Sequence, residues 1–208
     1  MKKEKSKKLI LIIGFLLISV GLFIIEHKIV VNEYKDRQEE KYIEEFFSRE
    51  DVDKTIDEEK NINNIVNKKN NSDEYQYIAI IEIPKINLKR GLTTNKKYNN
   101  VKYNIEILDG SKMPDYENGN LILAGHSGTG RIAFLNNLNK LKINDEIYIY
   151  YNGIKYIYKY VNNYEVDKTG SIAIHRDKNK NTLTMITCKH NTNKQIVFIA
   201  ELVDKINY

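Results

Sequence analysis

The chain opens on its longest apolar run. Leu9 to Ile25 reads LILIIGFLLISVGLFII, seventeen residues without a charge. A helix of about 17–25 apolar residues crosses the hydrocarbon core of a bilayer. Lys2, Lys3, Lys5, Lys7 and Lys8 precede the run, opposed by Glu4 alone, and basic flanks stay on the cytoplasmic side. No small-x-small cleavage site follows; Glu26-His27-Lys28 comes next. The segment therefore reads as an uncleaved signal anchor rather than a removable signal peptide. Residues 1–8 are expected to form a cytoplasmic basic tail, residues 9–25 to span a membrane once, and everything after Glu26 to lie outside the cell.

Residues 26–72 change character. The stretch is charged, lacks glycine and proline, and has sparse apolar positions. It reads as a solvated stalk or linker, partly helical and partly disordered. Tyr42, Ile43, Phe46 and Phe47 form one short stripe at helical spacing, which a partner could bind.

From about residue 73 the pattern becomes that of β-structure. Tyr77 to Ile83 is rich in β-branched residues and stops at Pro84. Tyr103 to Leu108 runs into Asp109-Gly110, a turn signal. Leu121 to Ala124 is a short apolar strand. Glu146 to Tyr151, Asn152-Gly153 and Lys155 to Val161 predict a hairpin with an Asn-Gly turn. Thr182 to Thr187 and Gln195 to Val203 add two strands. Phe134, Leu135, Leu138 and Leu141 carry helical spacing and predict one helix over 131–141. So many strands and so little helix point to a mostly β domain over 73–208, a small barrel or a sandwich.

Composition changes this picture little. The net charge of +5 is partly the basic tail, and the remainder is mixed with acids. No basic stripe coincides with a nucleic-acid motif, so no nucleic-acid partner is expected. The one cysteine, Cys188, has no disulfide partner within the chain. It is either a small buried core residue or a nucleophile.

The stretch Gly125-His126-Ser127-Gly128-Thr129-Gly130 admits three chemistries. As a dinucleotide loop it needs a βαβ unit of a parallel sheet, and the tyrosine-rich hairpin that follows argues against one. As a serine elbow, G-x-S-x-G, it misses at Thr129. The third reading presents His126 at the end of a strand. Cys188 ends another strand, Thr-Leu-Thr-Met-Ile-Thr-Cys. A thiol is activated when an imidazolium or other cation stabilises its thiolate. Two strand ends side by side at a barrel rim would hold the pair, and a third group would be needed for the developing oxyanion.

These residues resemble the sortases. The resemblance rests on Leu-Ala-Gly-His at 123–126, Thr-Leu-Thr-Met-Ile-Thr-Cys at 182–188, and a basic residue soon after on a final strand. The signal anchor, Ile-Glu-Ile-Pro-Lys-Ile at 81–86, the Phe-Leu-Asn-Asn-Leu segment and Leu-Lys-Ile-Asn-Asp at 141–145 fit the same family. It covers roughly residues 75–203. It implies a closed eight-stranded sortase-like β-barrel with one or two short helices, preceded by the transmembrane helix, on the outer face of a Gram-positive membrane. It also implies a cysteine transpeptidase. Cys188 would attack the Thr–Gly bond of an LPxTG-like sorting signal on a surface protein and form a thioester. His126 would act as general acid and then base. An amine of a peptidoglycan precursor, or of a pilin lysine, would resolve the thioester. The alternative is a catalytically weakened sortase-fold protein that binds sorting signals or surface proteins.

One departure matters. Where the family carries an arginine on the last strand, the aligned position here is Lys194. Lysine brings the charge without the forked donor set. The expected catalytic set is thus His126, Cys188 and Lys194, with Arg131 or Arg176 as substitutes reaching in from loops. Ser127, Thr187, Arg131 and Arg176 are expected to line the substrate site. His175 is a rival base. Cys188 and His190 are too few for a metal centre, and no metal or cofactor is expected. Glu165, Asp167 and Asp177 flank a loop where some sortases bind calcium, but scattered loop acids are ordinarily just solvated.

Overall fold

A computed structural model describes residues 2–55 and 76–208, with side chains described over 12–49 and 76–208. The chain divides into two units, Met1–Lys41 and Tyr42–Tyr208. The first is helical throughout its described length. It belongs to helix α1, Lys2–Thr55, whose large apolar side chains from Ile12 to Val30 are exposed and which is long and apolar enough to cross a membrane.

The second unit is built on eight strands. They are β1 (Ala79–Ile83), β2 (Leu88–Leu92), β3 (Glu106–Ile107), β4 (Asn120–Ala124), β5 (Glu146–Tyr151), β6 (Ile154–Asp167), β7 (Thr182–Cys188) and β8 (Lys194–Asn207). They form one sheet in the order β2-β1-β5-β6-β8-β7-β4-β3. The sheet curls until its edges nearly meet: Asn104, just before β3, donates its side-chain amide to the Gly91 carbonyl of β2 at 2.7 Å. The eight-stranded barrel implied by the resemblance is the fold the chain adopts.

Local sequence explains most of the elements. Asn152 and Gly153 both have positive φ, 51° and 70°, the requirement of a tight two-residue hairpin turn. They join Tyr151 to its partner Ile154. Pro84 ends β1 in a short 3-10 turn. β2, with the sequence Leu-Lys-Arg-Gly-Leu, carries a weak strand pattern. It forms because Gly91 leaves room for the Tyr77 ring, which a Cβ at that position would meet at 2.0 Å.

The helix expected over 131–141 is replaced by successive turns. Their bonds run from i to i−3: Ala133 to Gly130, Asn136 to Ala133, Leu138 to Leu135, Leu141 to Leu138. Asn136, Asn137 and Asn139 favour turns over helix, and the Asn136 side chain is taken by the Gly128 N–H at 3.0 Å. Leu135 and Leu138 are nonetheless fully buried in the barrel. The apolar spacing therefore marks the core face correctly while the backbone winds more tightly.

Two apolar faces result. The barrel interior takes Leu121 and Leu123 of β4, Leu183 and Met185 of β7, and Phe198 and Ala200 of β8. On the outer face Ile186 of β7 with Val197 and Ile199 of β8 form a second cluster. Val166 of β6, Ile122 of β4, and Ile172 and Ile174 of the β6–β7 connection pack against it.

The stripe Tyr42, Ile43, Phe46 and Phe47 has a partner within its own chain. Ile43 and Phe46 are buried with Tyr77 and Ile80. Phe47 meets Tyr150 and Tyr208 edge-on at 5.2 and 5.4 Å, and Arg49 donates to the Tyr77 carbonyl at 3.2 Å. A soluble form beginning at residue 76 lacks this cluster, so it should unfold at lower denaturant than one beginning at residue 42. Phe46→Ala in the longer form should reproduce most of that loss, on the order of 3 kcal/mol, as read by urea unfolding.

Candidate active site

β4 and β7 are the one parallel pair in the described sheet. Parallel strands end at the same rim. Ala124 pairs with Ile186, and continuing that register by two residues sets His126 beside Cys188. The ladder does continue past the end of β4. Gly125 N–H donates to the Ile186 carbonyl at 3.1 Å. Thr187 Oγ1 donates to the Gly125 carbonyl at 2.8 Å, and Ser127 Oγ donates to the Cys188 carbonyl. His126 is held from its other side by the Leu135 N–H on its carbonyl, at 3.1 Å. Adjacent strands lie roughly 4.8 Å apart, so the imidazole and the thiol stand in neighbouring positions of one row.

The opposite end of the same ladder is pinned as well. Thr182 and Thr184 each donate to Asn120 Oδ1 at 2.9 Å, and all three residues are buried. Arg176 belongs to this end. Its guanidinium binds the carbonyls of Asp177, Lys180 and Asn118 at 3.0–3.2 Å, which ties the β6–β7 connection to the turn before β4. It stands at the start of β4 and β7, while Cys188 is at the finish.

On the β8 side Cys188 pairs with Gln195, and Ile186 with Val197. Side chains alternate along a strand, so Cys188 and Gln195 share the outer face with Ile186, Val197 and Val166. Lys194 falls on the other face, at the barrel mouth. There its ammonium lies 3.6 Å from Glu165, which also accepts from Lys189. These bonds, the Lys189 one foremost, hold the Glu165 carboxyl below its ordinary pKa. The Glu165 carboxylate therefore faces two ammonium groups.

The remaining candidates are dispersed. Arg131 is exposed in the loop after Gly130. His190 is exposed in the turn joining β7 to β8. His175 is on the β6–β7 connection, its ring edge-on to Tyr164 at 5.1 Å. The Tyr164 hydroxyl donates to the Ala173 carbonyl at 3.0 Å and accepts from the His175 N–H at 2.8 Å. Tyr164 thus fastens this connection, with Ile172 and Ile174, over the apolar cluster that leads to Cys188.

The row His126, Cys188, Gln195, set beside an apolar bed under a fastened loop, suits attack of a thiolate on an extended peptide. The family model for the sortase domain matches residues 81–203. The chain belongs to the sortase family. Among solved sortase structures, a lid mutant of sortase A from Corynebacterium diphtheriae is 26% identical. The match covers 63% of this chain and 72% of that one, with a TM-score of 0.55. The sortase D5 transpeptidase of Clostridium perfringens is 24% identical over 80% of this chain and 98% of that one, with a TM-score of 0.57. Sortase A of Listeria monocytogenes is 23% identical over 64% and 90%, with a TM-score of 0.52. No curated protein matches the chain.

Gln195 and Tyr164 carry no motif and drew no attention in the sequence. The Cys188–Gln195 pairing was recoverable by counting outward from Asn191-Thr192, the two residues at the centre of the β7–β8 turn. Gly125 has a steric reason in this sortase: a Cβ there would lie 2.7 Å from Leu135 Cγ, and Leu135 is fully buried. Gly125→Ala should therefore cost about 1–3 kcal/mol through overpacking. The strain falls on the residue before His126. Thermal unfolding checks the stability loss, and the rate of Cys188 modification checks the expected local displacement.

Proposed function

We propose that this sortase is a membrane-anchored cysteine transpeptidase. The observation that carries the reading is the parallel β4–β7 register, which brings His126 alongside Cys188 at one rim. The Cys188 thiolate adds to the carbonyl of the Thr–Gly bond in an LPxTG-like signal. The tetrahedral intermediate collapses, the C–N bond breaks, and His126 as imidazolium gives its proton to the departing amine. A thioester on Cys188 remains. An incoming amine, from a peptidoglycan precursor or a pilin lysine, passes a proton to His126 as it attacks, and Cys188 leaves as thiolate. The half-buried Val166, Ile172 and Ile174 at the edge of the outer cluster leave apolar area for the leading apolar residues of such a signal, and burial of apolar area drives association.

The helix over the apolar run serves in this reading as a single-pass anchor. The basic tail lies in the cytoplasm and the barrel outside. Ser127 and Thr187 act by holding the two strand ends together, and Arg131 lies in the loop after His126, where an extended peptide can meet it. No metal or cofactor enters the reaction.

A second reading has one specific observation in its favour. The Lys194 ammonium is engaged by Glu165 on the face away from Cys188, which suits a sortase-fold protein that binds sorting signals without efficient turnover.

The test uses soluble protein from residue 42 onward, a panel of fluorogenic LPxTG-like peptides, and amine acceptors, with products read by mass. Acceptor-dependent ligation that disappears in Cys188→Ala is the expected result. His126→Ala should lower the rate about 10²- to 10⁴-fold, the usual contribution of a general acid–base. Tight peptide binding with no acyl-enzyme or ligation would instead support the binding protein.

A further inference from the structure

Acyl transfer needs donors aimed at the oxygen that becomes an oxyanion. The register excludes Lys194 from the row that holds the nucleophile and puts Gln195 in it. Lys189 N–H donates to the Lys194 carbonyl at 2.9 Å, so Lys189 and Lys194 form a hydrogen-bonded pair. Antiparallel ladders alternate, so Cys188 and Gln195 form a non-hydrogen-bonded pair, with Cα atoms roughly 4.5 Å apart and side chains closer than in the adjacent hydrogen-bonded pair. Gln195 is half-buried between Cys188 on β7 and Val166 on β6. Its amide makes no hydrogen bond among the described residues. A primary amide offers two N–H donors and cannot lose them to titration.

We propose that Gln195 is a catalytic residue of this sortase, donating a side-chain N–H hydrogen bond to the oxyanion formed when Cys188 adds to the substrate carbonyl. The assignment rests on the transpeptidase reading. In the step, a bond forms from Cys188 Sγ to the carbonyl carbon, and the C=O π pair moves onto oxygen. Gln195 donates a hydrogen bond to that oxygen and keeps its proton. Collapse restores the C=O bond and breaks the C–N bond, and the amine leaves with the proton from His126. His126 and Gln195 therefore flank Cys188 from opposite sides, one serving the leaving nitrogen and the other the oxygen.

Two reactions of the same thiol separate this role from a general effect on Cys188. Acylation by an LPxTG-like peptide passes through an oxyanion. Alkylation by iodoacetamide is a direct displacement and forms none. In Gln195→Met, which keeps length and removes the donors, acyl-enzyme formation should fall about 10²- to 10³-fold, the usual loss for one oxyanion donor. Alkylation should keep its wild-type rate, which also reports an intact fold. Gln195→Arg, which restores donors at the same position, should recover acylation. If Gln195→Met acylates at the wild-type rate while Lys194→Met carries the loss, the assignment is overturned and the transpeptidase reading stands. If the native protein forms no acyl-enzyme with any peptide of the panel while its thiol alkylates normally, the transpeptidase reading falls and this role falls with it.

Discussion

The arrangement of the site depends on one constraint, the parallel alignment of β4 with β7. In the antiparallel pairs of this barrel neighbouring strands finish at opposite rims. Only a parallel pair delivers two strand ends to the same place, and here those ends carry His126 and Cys188. A slip of one residue would turn every side chain of β4 to the other face and put the imidazole inside the barrel. The alignment is therefore fixed at both ends. Two buried threonines share the Asn120 oxygen at the start. Thr187 and Ser127 bridge the backbones at the finish. Each such bond contributes a net of about 1 kcal/mol, but a buried polar atom left without its partner costs more. That asymmetry makes the register specific.

Burial then separates two functions across one sheet. Inward residues such as Met185 and Phe198 make the barrel stable, while outward residues such as Ile186 and Val197 make a second apolar surface that ends at the thiol. Tyr164 and Arg176 fasten the β6–β7 connection at separate points, one over this surface and one at the far end of the ladder. The loop is thereby given a fixed course over the apolar bed, which reduces the entropy lost on ordering around an extended peptide.

Much of this was legible in the sequence, and the failures have physical causes. The hairpin was legible because Asn152-Gly153 demands positive φ. The two strand ends that bring His126 beside Cys188 were legible because Leu-Ala-Gly-His and Thr-Leu-Thr-Met-Ile-Thr-Cys each end an apolar strand. β2 was not, because its formation depends on Gly91 accommodating Tyr77 from the segment before β1, a tertiary fact. The segment 131–141 showed the right buried residues and the wrong winding, since asparagine spoils a helix without disturbing the spacing of its leucines. The stripe at 42–47 looked like a surface for a partner because its real partners, Tyr77, Tyr150 and Tyr208, lie far off in the chain. Gln195 was invisible because facing is a property of register, and adjacent positions on a strand look alike until the pairing is known.

The facing of adjacent positions on β8 decides what stands in place of a cation at this site. Lys194 and Gln195 are neighbours in sequence, yet they serve opposite faces. The lysine joins Lys189 around Glu165, an exposed cluster that braces the β7–β8 turn against β6. Exposed ion pairs contribute little to stability and weaken with salt, so the position of Cys188 rests on the backbone ladder rather than on this charge cluster. An arginine in the Cys188 row would add a permanent positive charge next to the thiol as well as donors for the oxyanion. A glutamine keeps the donors and omits the charge. In the proposed transpeptidase the two tasks are thereby divided: His126 serves the sulfur and the leaving amine, and a neutral amide on the other side of the sulfur serves the oxyanion.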